Sequence, residues 1–155
     1  MSDISLWMDP KEKELIIKYL QQKPNSTMLE WGSGGSTLTF SKEVMQYVSI
    51  EHNLDWYLDV QKTIIEKGLS NIDFHLVDIS KEVPTAKKDF YDKWESEIHT
   101  LSNLTTNSIP DLDYCIYPKN RFVFHEYIDW VDKLETKTYD FVLIDGRARA
   151  DCAFK

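Results

Sequence analysis

The apolar positions change period along the chain, and those changes mark out its elements. Asp9-Pro10-Lys11-Glu12 combines an N-capping acid, a proline at the first helical position and a glutamate three residues past the cap, so a helix is predicted from here to about Gln22. Leu15, Ile16, Tyr19 and Leu20 give it an apolar face, and Pro24-Asn25 stops it before Thr27-Met28-Leu29-Glu30, a short apolar segment predicted as a first strand. Thr37–Glu43 suits a short helix, and Tyr47-Val48-Ser49-Ile50-Glu51 has the composition of a second strand. Leu54, Tyr57, Val60, Gln61 and Ile64 return to helical spacing, with Gly68 placed to end that helix in a left-handed conformation. Ile72, Phe74 and Leu76 alternate with Asp73 and His75, predicting a third strand that closes at Val77-Asp78.

Over 79–121 the pattern breaks into an amphipathic run bearing Phe90, Trp94, Ile98 and Leu101 and then a polar stretch, which reads as an insertion or substrate lid within a single domain spanning 1–155. Phe124, Tyr127, Ile128, Val131 and Leu134 mark one more helix. Tyr139-Asp140-Phe141-Val142-Leu143-Ile144, nearly continuous in apolar residues, suits a strand buried on both faces and ends at Asp145-Gly146. Strands that alternate with helices imply a parallel sheet, since parallel neighbours need a crossover and a helix is the usual one. Ligands in such sheets lie beyond the carboxyl ends of the strands. Here those ends carry Glu30 with the glycines after it, Glu51, Asp78 and Asp145, so four polar or glycine endings on one edge predict a site.

The totals narrow the class of ligand. The chain has 155 residues, enough for one core, and its 42% hydrophobic and 28% charged content is that of a folded globular protein. Eighteen Lys and Arg against 26 Asp and Glu leave a net charge of −8, which repels a phosphate backbone, so no nucleic-acid partner is expected. No apolar run approaches the ~20 residues that cross a bilayer, and the N-terminus lacks a basic region followed by an apolar one, so no membrane association and a cytoplasmic location are expected. Cys115 and Cys152 have no partners at zinc-site spacing and read as unreactive thiols; His75, His99 and His125 show no metal spacing either, so no metal site is assigned.

Between the first strand and its helix lies Glu30-Trp31-Gly32-Ser33-Gly34-Gly35-Ser36. Glycines in such a turn let the backbone approach a ligand and leave amide groups facing it. The spacing is not the dinucleotide fingerprint, because Thr37 stands where its third glycine belongs, and no Lys-Ser or Lys-Thr pair follows to make a phosphate loop. An acid followed by G-x-G-G at the end of the first strand resembles motif I of the class I S-adenosylmethionine-dependent methyltransferases. Ser49-Ile50-Glu51-His52 and Phe141-Val142-Leu143-Ile144-Asp145-Gly146-Arg147-Ala148-Arg149 extend the likeness, which spans roughly Met8 to Cys152.

The resemblance implies a Rossmann-like, doubly wound α/β fold with strand order 3-2-1-4, helices on both faces and S-adenosylmethionine as cofactor. Carried over residue by residue, it implies a cofactor site of Glu30, Gly32, Ser33, Gly34, Gly35, Ser36, Glu51, His52, Asp78 and Asp145. The turn at Gly32, Ser33 and Gly34 would pack on the methionine part, Glu51 would bind the ribose hydroxyls, Asp78 the adenine amino group, and Asp145 would face the transferred methyl. Asp145 and His52 are the candidate catalytic bases toward a hydroxyl of a small-molecule or glycan acceptor, with a divalent ion on Asp145 as another route, and Arg147 and Arg149 are candidate substrate contacts. Each residue also has an ordinary reading: Glu51 and Asp78 as helix caps, Glu30 as a support for the turn's amides, Trp31 and Trp56 as core or cofactor-flanking packing, and the two arginines as partners of surface acids. Two departures stand out. The segment after Asp78 is longer than the family's, and the chain ends where the family's fifth strand and final antiparallel pair would follow, as expected of a fragment. The alternatives to O-methylation are a non-catalytic module that binds the nucleoside and an aminopropyltransferase-like enzyme on a related fold.

Overall fold

A computed structural model describes residues 4–23, 25–79, 124–146 and 148–155. The elements are α1 (Pro10–Gln21), β1 (Thr27–Trp31), α2 (Gly35–Phe40) running into a 3-10 turn (Ser41–Glu43), β2 (Gln46–Glu51), α3 (Leu54–Glu66), β3 (Ile72–Leu76), α4 (His125–Asp129) running into a second 3-10 turn (Trp130–Lys133), β4 (Phe141–Ile144) and α5 (Arg149–Ala153). Local signals act where expected. The Asp9 carboxylate accepts from the Lys11 amide at 2.8 Å to cap α1, and Gly68 takes φ +65° to end α3.

The four strands form one parallel sheet in the order β3-β2-β1-β4, with helices around it, a Rossmann-like arrangement. The register pairs Trp31 with Ile50 on one side and Ile144 on the other, and Glu51 with Leu76, which brings all four carboxyl ends to one edge. Alternation along the strands then sorts the side chains. Leu29, Trp31, Val48 and Ile50 pack with Phe124, Tyr127, Ile128, Leu134 and Cys152. Met28 and Tyr47 pack against Leu20 of α1 and Phe40 of α2, while Val60 and Ile64 of α3 join Leu38 beside Ile72 and Phe74.

Three expectations are corrected. The face that α1 buries is Ile16, Ile17 and Leu20; Leu15 and Tyr19 point to solvent, because the neighbouring strand and 3-10 turn meet the helix one position round from the predicted stripe. The 124–134 helix is α-helical only to Asp129 and tightens afterwards. β4 is not buried on both faces: it borders the described sheet, paired only with β1 there, and Val142 is 53% exposed. Of the predicted lid, residues 80–121 lie outside the described residues, as do Cys115, His99 and Arg147. No helix among the described residues is long and apolar enough to cross a membrane.

Candidate functional site

The glycine turn leaves β1 at Trp31 and enters α2 at Gly35. Gly32 has φ +91°, and a Cβ there would lie 2.5 Å from the Gly146 nitrogen and 2.6 Å from its Cα, so the turn crosses directly over the exit of β4. The Trp31 carbonyl accepts from both Asp145 and Gly146 amides at 2.9 and 2.7 Å, which locks that crossing. At Gly146 a Cβ would overlap the Tyr127 hydroxyl, and at Gly35 it would overlap the backbone of Ser5 and Leu6. Gly34 differs: its Cβ direction meets only the Trp56 ring, at 3.6 Å. Three of these four glycines are therefore used by the protein's own chain, and Gly34 leaves the turn open toward Trp56.

Glu30 lies beneath the turn. Alternation in β1 sends Trp31 to one face and Glu30 to the other, where its fully buried carboxylate accepts from the Ser36 hydroxyl, from Thr37 Oγ1 at 2.6 Å and from Ser49 Oγ at 2.9 Å. Burial raises its pKa and the three hydroxyls pull it back, leaving it at about 7. In the described structure it fastens α2 and β2 to β1 through these hydroxyls rather than through the turn's amides.

Glu51, ending β2, is the acid in contact with the turn. One carboxylate oxygen accepts from the Ser33 amide at 3.0 Å and its hydroxyl at 2.8 Å; the other accepts from the His52 and Asn53 amides at 2.8 and 2.9 Å. Burial would raise its pKa, but the adjacent His52 imidazole and the Asn53 and Ser33 amides outweigh that and bring it to about 2, so it is an anion and an acceptor only. His52 Nδ1 is 3.0 Å from this carboxylate, off the line of an aligned hydrogen bond. The contact favours the tautomer with the proton on Nδ1 and the lone pair on Nε2. The ring is held edge-on by Phe124 and Tyr127, each with its centroid 5.3 Å away.

Asp78 lies half-buried just past β3, whose next residue Val77 donates its amide to the Glu51 carbonyl at 2.7 Å. Asp145 follows β4; its exposed carboxylate pairs with the Arg149 guanidinium at 3.1 Å, and Arg149 Nε also donates to the Gly146 carbonyl at 3.2 Å. Trp31 is core, with its N–H on the Tyr127 carbonyl, whereas the Trp56 N–H donates to the Ser33 carbonyl at 2.8 Å. Burial, with Asp151 adding to it, pushes the Cys152 thiol up to about 12, which keeps it protonated and unreactive. Among the described residues no group of three or more His, Cys, Asp or Glu is arranged to hold a metal ion.

A cleft of about 330 Å³ opens over the turn. Ser33, Gly34, Gly35 and Ser36 form its floor, Trp56 and Asp145 flank it, and Ile4, Ser5, Leu6 and Trp7 form the remaining wall. That wall was not foreseen, since Ile4-Ser5-Leu6-Trp7 is too short to show a period and precedes the first capping signal. The site therefore joins Ser33 to Glu51, places His52 next to Glu51 and sets Asp145 across the cleft. Glu30 does not line the cleft and reaches its floor only through the Ser36 hydroxyl.

No protein-family model matches the chain, and no curated protein matches it by sequence. Solved structures do. A methyltransferase-like protein from Silicibacter pomeroyi is 22% identical over 99% of this chain and 67% of its own length, with a TM-score of 0.58. The YcgJ protein from Bacillus subtilis is also 22% identical, over 44% of this chain, with a TM-score of 0.39; the chain spans 30% of its length. The first likeness runs along nearly the whole chain and, at that identity, supports the fold alone, the Rossmann-like arrangement of the four-stranded parallel sheet.

Proposed function

We propose that the chain is one cytoplasmic domain that binds S-adenosylmethionine and directs its methyl group to a hydroxyl of a small molecule or glycan. The observation that carries this reading is the pairing of a turn open at Gly34 with an ionised carboxylate, Glu51, bonded to that turn at the carboxyl edge of a parallel sheet. The donor set fits the cofactor. An acceptor-only carboxylate suits a ribose hydroxyl, and Glu51 frees one position for it when the Ser33 hydroxyl turns toward the ligand, a rotation that costs one hydrogen bond and leaves the amide contacts in place. Asp78, past the adjoining strand, would take the adenine amino group, and the backbone of Gly32–Ser36 would carry the amino-acid tail.

When bound, the cofactor supplies an electrophilic methyl on a sulfonium. The protein's part is to align the acceptor, exclude water and take one proton. Asp145 at the cleft and His52 Nε2 beside Glu51 are the groups assigned to the proton, and Arg149, already turned toward Asp145, would orient the acceptor along with Arg147.

Two substitutions separate the roles. Glu51→Gln is expected to weaken S-adenosylhomocysteine binding roughly 10- to 100-fold in isothermal titration, the worth of a charged hydrogen bond. Asp145→Asn is expected to leave that binding within about twofold while lowering methyl transfer about a hundredfold or more, the range of a general base. A wild-type chain that melts cooperatively yet gives no heat with S-adenosylhomocysteine would overturn the reading.

A further inference from the structure

Glu30 is fully buried, and among the described residues no lysine, arginine or histidine forms an ion pair with it. A carboxylate taken out of water without a counter-ion keeps its charge only through the hydrogen bonds it accepts. The register sets Ser49 of β2 and Leu143 of β4 on either side of it, and α2 supplies Ser36 and Thr37. Tyr47 of β2 and Tyr127 of α4 are the titratable groups that feel its charge. Burial, and after it the nearby carboxylates, raises both of their pKa values, so both stay neutral and neither takes a proton from Glu30 or gives one up.

The three donors are not equivalent. Thr37 and Ser49 have no exposed surface, and both bond to Oε2. Thr37 Oγ1 also accepts from the Gly34 amide at 2.9 Å, which leaves its single proton for Glu30. The Ser36 hydroxyl serves Oε1 by itself, and Ser36, 7% exposed, lines the cleft. Of the three, only Ser36 has somewhere else to donate. An acceptor placed in the cleft competes with Glu30 for that hydroxyl proton; once it wins, Oε1 is bare in the interior, and the carboxyl regains a hydrogen bond by taking a proton from solvent and donating it to Ser36 Oγ. With the Glu30 pKa at about 7, that proton is within reach at neutral pH. We infer that Glu30 is a positioning residue for the cofactor's amino-acid tail and couples its binding to proton uptake: a tail oxygen accepts from the Ser36 hydroxyl while Ser36 Oγ accepts from the newly protonated Glu30. The coupling rests on the methyltransferase reading for its ligand and adds a regulation to that site. Below about pH 7 the free protein already holds the proton and binding is unaffected; above it the proton must be drawn from solvent, and the cofactor is held less tightly as the pH rises.

Titration calorimetry with S-adenosylhomocysteine on the whole chain, in two buffers of different ionisation heat, counts the protons taken up. Wild type is expected to take up about half a proton per ligand at about pH 7.5 in excess of Glu30→Gln, and to lose roughly five- to tenfold in affinity from about pH 6 to about pH 8.5, the effect on one carboxyl of losing one charged hydrogen bond. Glu30→Gln, whose amide is both donor and acceptor like the protonated acid, should lose that extra pH dependence. Ser36→Ala removes the link to the cleft and should abolish the extra uptake too, although Glu30 itself remains; should Glu30→Gln fail to melt cooperatively, Ser36→Ala serves as the reference. Proton uptake by Ser36→Ala equal to that of wild type, or uptake by wild type no greater than that of Glu30→Gln, would overturn the inference and leave the methyltransferase reading standing. Absence of heat with S-adenosylhomocysteine in both buffers would overturn that reading, and the coupling with it.

Discussion

Wild-type stability is expected to fall by about 3 kcal/mol as the pH rises from 4.5 to somewhat above 7, and the fall should vanish in Glu30→Gln. Glu30 carries a carboxyl whose ordinary value of 4.5 is raised to about 7, because complete burial penalises the charged form more than the hydroxyls of Ser36, Thr37 and Ser49 favour it. Below 4.5 both the folded and the unfolded chain hold the proton, and the group costs nothing. Between 4.5 and about 7 the unfolded chain has released it while the folded chain keeps it, so the proton-binding difference works against folding with every rise in pH. Above that window the penalty is complete, at about 1.4 kcal/mol per pKa unit. Glu51, held at about 2, acts in the opposite sense, but its contribution is lost only as the pH falls from 4.5 toward 2, outside this window. Urea unfolding of the two proteins at a series of pH values gives the difference curve directly. Parallel curves for wild type and Glu30→Gln would mean that Glu30 is solvated and does not clamp α2 to the sheet.

Gly32→Ala is expected to cost about 3 kcal/mol or more, and to lower the melting temperature by roughly 10 °C in a chain of this size. Two penalties combine there. The backbone has φ +91°, which an L side chain adopts only under strain, and the added methyl would meet the nitrogen and Cα of Gly146, neither of which can move without disturbing the β1–β4 pairing. Gly68→Ala separates the two, because Gly68 also has a positive φ, +65°, but nothing stands within 4 Å of its Cβ position. It should lose only about 1–2 kcal/mol from backbone strain. If the two variants melt alike, the close approach of the glycine turn to β4 is not what that turn is built for. If they differ as expected, Gly32→Ala should also weaken S-adenosylhomocysteine binding, since displacing Gly146 moves Asp145 and the floor of the cleft together.

Local order was set by the sequence alone. The capping acid at Asp9, the left-handed stop at Gly68, the alternation in Ile72–Leu76 and the acids at the ends of β2, β3 and β4 depend on neighbours a few residues away, and periodicity reports those neighbours faithfully. The parallel sheet followed from strands alternating with helices, and with it the single edge that carries Glu51, Asp78 and Asp145. Only the tertiary structure decided what each site residue touches. β1 runs one residue further, to Trp31, and alternation along it turns Glu30 toward α2, where it meets the cleft only through Ser36. That the gaps at Gly35 and Gly146 are filled by Ser5–Leu6 and the Tyr127 hydroxyl is a matter of contacts between segments far apart in the chain, for which a single sequence carries no periodic signal. The same holds for Val142, whose apolar character reads as burial until the sheet order leaves β4 at the border, and for Trp7, which no pattern singled out and which the packing of its neighbours places at the mouth of the cleft.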